Sequence, residues 1–131
     1  MKILWISNTI FPAPDKKFGL PTSVFCGWMY SLAKDLSKDL NIELAVANVY
    51  KGRDLKIFNY QVIQYFLLPS KNMLNYQKEL EDYWNEVCNL FEPNIINIHG
   101  TEYPHGLACM IKRPDFRRNV KCRNINEYYY H

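Results

Sequence analysis

The feature that most constrains the fold is a set of short, unbroken apolar runs spaced by longer segments with helical periodicity. Lys2–Ser7 (KILWIS), Ile42–Tyr50 (IELAVANVY) and Asn94–His99 (NIINIH) are the clearest of these runs. A strand with one wet face alternates polar and apolar residues. These runs do not, so they predict strands covered on both faces, as in a parallel sheet. Thr22 or Ser23 can cap a helix reaching about Asp39, with Phe25, Trp28, Met29, Leu32, Ala33 and Leu36 along one side. Asn75–Glu92 predicts a second helix, striped by Tyr76, Leu80, Tyr83, Trp84, Val87, Cys88 and Phe91 and ended by Pro93. Leu55–Phe58 and Val62–Leu68 predict a strand pair, separated by Asn59-Tyr60 and compatible with a hairpin. Phe11–Pro21 holds Pro12, Pro14, Gly19 and Pro21, which restricts it to a loop with the length of a flap. His105–Met110 opens a short helix before Pro114. Strands alternating with helices in this order imply right-handed crossovers, hence an α/β fold with a mostly parallel, Rossmann-like sheet.

With 131 residues there is room for one domain, and 48% hydrophobic against 22% charged residues is the balance of a folded chain, not a disordered one. The net charge of +3 is uneven. Residues 112–123 carry six basic side chains against Asp115 alone, a local charge of +5, so the remainder sums to −2. A nucleic-acid footprint across the fold is not expected. The chain divides into a domain over 1–111, expected to be incomplete, and a basic, Tyr-ending tail over 112–131. That tail also admits a weaker reading as an adaptor touching anionic lipid or nucleic acid. Four cysteines, at 26, 88, 109 and 122, form no C-x-x-C and suit free thiols in a reducing compartment. Ile3–Ile6 is too short for a signal peptide, and no segment approaches the ~20 apolar residues of a membrane span. A cytoplasmic location is expected, with peripheral contact to a membrane left open.

In an open α/β sheet, ligands bind beyond the carboxyl ends of the strands where the winding reverses. The strands flanking that crevice would be Ile3–Ser7 and Ile95–His99. Their exits deliver Ser7, Asn8 and Thr9 on one side and His99, Gly100, Thr101, Glu102 and His105 on the other. The first helix begins nearby, around Cys26-Gly27, where free N–H groups favour an anion. Each residue also has a bland reading: Gly27 as a close-packing glycine, His99 as a core histidine, Glu102 and His105 as solvated loop residues. No G-x-G-x-x-G and no G-x-S-x-G is present, so neither a dinucleotide site nor a hydrolase elbow is indicated. His99, His105 and Cys109 match no common zinc spacing, and no metal is expected.

The segments KILWISNTIFP, GLPTSVFCGWMYSLAKDLSK, NIELAVANVYKG and EPNIINIHGTEYPHGLA together resemble the N-terminal domain of glycosyltransferase family 4 enzymes, which have the GT-B fold. The resemblance runs from residue 2 to about 110. It implies half of a two-domain enzyme that transfers a sugar from a sugar nucleotide, with retention and without an essential metal or other cofactor. This half holds the acceptor, a glycan or lipid-linked molecule, while a second domain grips the donor. It further implies that Gly27 approaches the donor's diphosphate or sugar, and that His99 lies beside the transferred sugar as the catalytic position. Asn8, Gly27, Gly100, Thr101, Glu102 and His105 are then the substrate-binding candidates. The chain departs from the pattern in three places: Cys26 precedes Gly27 where two glycines are usual, Asn94 and Asn97 replace an aspartate and a histidine, and no E-x(7)-E stretch occurs. Because half a cleft can neither exclude water nor align two substrates, these 131 residues alone are expected to be nearly silent. The domain could belong to a truncated product or pair with a separate donor-binding half. The alternative is a non-catalytic module binding carbohydrate or protein on the same scaffold.

Overall fold

The computed structural model describes residues 1–7, 27–71, 75–99, 104–115 and 120–123. In chain order the elements are β1 (Lys2–Ser7), α1 (Gly27–Leu36), β2 (Glu43–Lys51), β3 (Lys56–Tyr60), β4 (Ile63–Ser70), α2 (Glu79–Phe91), β5 (Ile95–His99), α3 (Pro104–Lys112) and β6 (Val120–Arg123). One six-stranded sheet has the order β3-β4-β2-β1-β5-β6. All neighbouring pairs are parallel except the β3–β4 hairpin. The chain is therefore α/β with a mostly parallel sheet, as its unbroken apolar runs require.

Period-two geometry sends alternate residues of each strand to opposite faces. Ile3 and Trp5 of β1 join Val46 of β2 and Met29 and Ala33 of α1 in one core. Leu4 and Ile6 face the other way, packing with Phe66, Ile96 and Ile98, with Leu80, Trp84, Val87, Cys88 and Phe91 of α2, and with Ala108 and Cys109 of α3. The β1–α1–β2 crossover thus lies on one face, and the two crossovers through α2 and α3 lie on the other. Winding reverses between β1 and β5.

Local chemistry sets the ends of these elements. Lys2 and Asn94 clasp the start of the β1–β5 pair: Lys2 N–H donates to Asn94 Oδ1, and Asn94 N–H donates to the Lys2 carbonyl, both at 2.8 Å. Helix α2 stops at Glu92, a left-handed residue (φ 54°) whose N–H donates to the Cys88 carbonyl at 2.9 Å, before Pro93 prevents continuation.

Several boundaries differ from the expectations. Helix α1 ends at Leu36, not Asp39, because bonds from Lys38 to Asp35 and from Asp39 to Leu36 tighten the chain into three-residue turns. Leu32 is exposed, not on the buried side. Helix α2 starts at Glu79, leaving Tyr76 ahead of it, exposed and donating its hydroxyl to Glu81. The hairpin turns at Gln61-Val62, both at positive φ, while Asn59 and Tyr60 remain in β3. Val120–Arg123, within the segment set apart as a tail, pairs with β5 as the sixth strand. The helix start at Thr22 or Ser23 and the Phe11–Pro21 loop lie outside the described residues, as do most of the residues between 112 and 131 that follow Asp115.

Candidate functional site

Parallel pairing aligns the ends of the three central strands. Ser7 sits opposite Asn48 of β2 on one side and opposite His99 of β5 on the other. Asn48, Ser7 and His99 thus form a row across β2, β1 and β5, and strand alternation turns all three toward the α1 face. All three are buried, as is Ser70 near the end of β4, and these four are the buried polar side chains among the described residues. Below them the fully buried strand residues are aliphatic or aromatic. Burying a polar group costs free energy unless hydrogen bonds replace its water, so their confinement to the carboxyl edge is a directional feature of the sequence.

The contacts within the row hold it in place. Asn48 Nδ2 donates to the Ser7 carbonyl at 3.1 Å, tying the side chain of β2 to the last residue of β1. Ser7 Oγ donates weakly to Met29 Sδ at 3.9 Å, joining the row to the first turns of α1. The His99 ring leans on the Trp5 indole, with centroids 4.7 Å apart and planes tilted by 58°. That packing limits the rotamers of His99.

Behind β5, Gly106 of α3 lets the helix press close. A Cβ at this position would stand 2.6 Å from Ile98 Cγ2, inside any ordinary contact. The glycine near the end of the I-H-G-T-E-Y-P-H-G stretch is therefore a packing requirement that sets the height of α3 over the residue preceding His99.

Of the site residues read from sequence, His99 is at the strand end opposite Ser7, as expected. Gly27 is the first residue of α1, and His105 is the second residue of α3. Asn8, Gly100, Thr101 and Glu102 lie outside the described residues. Asn48 was missed. Its signal was present as the lone polar residue within the buried part of the second apolar run, but only the register reveals that it shares a rung with Ser7.

The set His99, His105 and Cys109 is not assembled around a metal. His99 packs on Trp5 on the α1 face, whereas Cys109 is buried with Cys88 in the core on the opposite face. Contact with Cys88 and burial push the Cys109 thiol well above its ordinary range. Among the described residues no cluster of three or more His, Cys, Asp or Glu could hold a metal ion. None of the described helices is long and apolar enough to cross a membrane. Compared with protein-family models and with curated proteins, the sequence matches none.

Proposed function

We propose that these residues form the acceptor-side domain of a retaining glycosyltransferase of family 4, the N-terminal half of a GT-B fold. The observation that carries this reading is the Asn48–Ser7–His99 row at the carboxyl edge, at the point where the winding reverses between β1 and β5. Open α/β sheets bind ligands there, and the four quoted segments that resemble the family supply the elements around it. In this reading, the His99 imidazole hydrogen-bonds a hydroxyl of the transferred sugar, with its orientation set by Trp5. The start of α1 at Gly27 offers backbone N–H groups to the donor's diphosphate. Asn48 positions the end of β1. The sugar nucleotide is held mainly by a second domain, and no catalytic metal is required.

The test combines binding with transfer. Amide resonances of Ser7, Asn48 and His99 are expected to shift on titration with glycan acceptors, while the 131 residues alone transfer no sugar from a panel of sugar nucleotides. Supplying a donor-binding domain should produce transfer, which His99→Ala should abolish. Robust transfer by these residues alone, or unchanged rates in the His99→Ala enzyme, would overturn the proposal. Glycan binding that never leads to transfer with any donor domain would instead favour a non-catalytic carbohydrate-binding module.

A further inference from the structure

A second feature of the carboxyl edge lies away from the His99 row. The last rung of the β2–β4 pair, Lys51 opposite Ser70, forms the floor of an open cleft of about 560 Å³. That volume lies within the range of small-molecule sites, roughly 300–1,000 Å³. Its walls carry Lys51, Arg53 and Lys71 against the single carboxylate of Glu79, with Gln77 and Tyr83 adding polar atoms. Three cations and one anion leave the cleft with a charge of +2. None of the three cations forms an ion pair among the described residues.

The cleft is also built, not merely left between side chains. Tyr50 folds its ring over Gly52 and donates its hydroxyl to the Asp54 carbonyl, which fixes the loop carrying Lys51 and Arg53. A Cβ on Gly52 would stand 2.1 Å from the Tyr50 ring, so only glycine permits this closure. On the opposite wall, Lys71 N–H donates to Gln77 Oε1 at 3.2 Å, holding the end of β4 to the approach of α2.

We propose that this cleft binds a compact oxyanion, the phosphate or carboxylate of a small ligand. Resting on the acceptor-side reading, that anion belongs to the acceptor, which makes the substrate class a phosphorylated or acidic saccharide. The row at β1 and β5 then recognises hydroxyl groups, and the cationic cleft recognises the charged end.

The experiment titrates the 131-residue chain with inorganic phosphate at constant ionic strength, followed by amide NMR. Parallel titrations use glucose, glucose 1-phosphate and glucuronate. Saturable shifts at Gly52, Ser70, Lys71 and Gln77 are expected with phosphate and with both charged sugars, and none there with glucose. Glucose 1-phosphate binding without glucuronate binding would assign the cleft to phosphate; the reverse would assign it to carboxylate. Neutralising each cation in turn (Lys51→Gln, Arg53→Gln, Lys71→Gln) should weaken binding about tenfold, with unchanged thermal stability confirming the fold. Shifts that do not saturate, that centre on residues 112–123, or that survive all three substitutions would overturn the proposal. Because no sugar transfer is measured, loss of this binding leaves the glycosyltransferase reading intact. Failure of transfer likewise leaves the anion site intact.

Discussion

Replacing Val62 by glycine should stabilise the protein. The β3–β4 hairpin closes over two residues, Gln61 at φ 47° and Val62 at φ 64°, with Tyr60 paired to Ile63 on either side. Two successive positive φ values define the type I′ turn that matches strand twist, which normally takes Asn-Gly. An L-residue in the left-handed region costs about 1–2 kcal/mol, and a β-branched side chain belongs at the upper end of that range. Val62 is 80% exposed, so little packing offsets the strain. Glycine removes the steric cost but adds about 0.5–1 kcal/mol of unfolded-state entropy. The expected net gain is about 1–1.5 kcal/mol, or roughly 3–6 °C in Tm for a domain of this size. Thermal unfolding followed by circular dichroism measures it, with Val62→Ala as the control. Alanine relieves the β-branch but keeps the left-handed penalty, so it should fall between valine and glycine. A Val62→Gly protein no more stable than the Val62→Ala protein would refute the strain argument.

Gly106→Ala should destabilise, since overpacking against Ile98 costs about 1–3 kcal/mol and exceeds the ~1 kcal/mol gained from helix propensity. Ile98→Leu, which removes the offending branch methyl, should lessen that cost in a double-mutant cycle read by urea unfolding; additive effects would show that the two residues do not clash. Stability should also fall as pH rises through and above 10. Burial pushes the Tyr65 phenol well above its ordinary value, so beyond pH 10 the unfolded chain releases a proton that the folded chain retains. A plot of Tm against pH should therefore be shallower above 10 in Tyr65→Phe, and identical slopes would remove Tyr65 as the source.

Strands and helices whose signal is local apolar periodicity were legible from sequence. β1, β2, β5 and the buried side of α2 correspond closely to the runs that announced them, because burial on both faces leaves little freedom in composition. The hairpin turn was not legible, because Gln61-Val62 carries none of the glycine or asparagine chemistry that marks a type I′ turn. The turn is placed by the pairing of its strands, and the residues tolerate strain. β6 was hidden for a different reason: Val-Lys-Cys-Arg reads as part of a basic stretch, and only a parallel partner in β5 makes it a strand. For the site, the two strand ends could be named, but not the third member of their row. Asn48 interrupts an apolar run, and an interruption acquires chemical meaning only once the register sets it beside Ser7. The cleft was wholly invisible, since Lys51, Arg53, Lys71 and Glu79 come together through the β2–β4 rung and the packing of α2.

The two features of the carboxyl edge constrain one another. Asn48 and Lys51 lie three residues apart on β2, which at about 3.3 Å per residue separates the His99 row from the cleft floor by roughly 10 Å along the strand. The odd spacing also sends them to opposite faces, Asn48 toward α1 and Lys51 toward α2. A free phosphate can therefore occupy the cleft without reaching the row, and a single neutral sugar at the row cannot reach the cations. A ligand engaging both must be extended and must pass over the edge of the sheet with its charge at one end. Under the proposed acceptor-side reading, discrimination between acceptors would then depend on length as well as charge, because a ligand's charged end meets the cations of the cleft only when the ligand spans that separation.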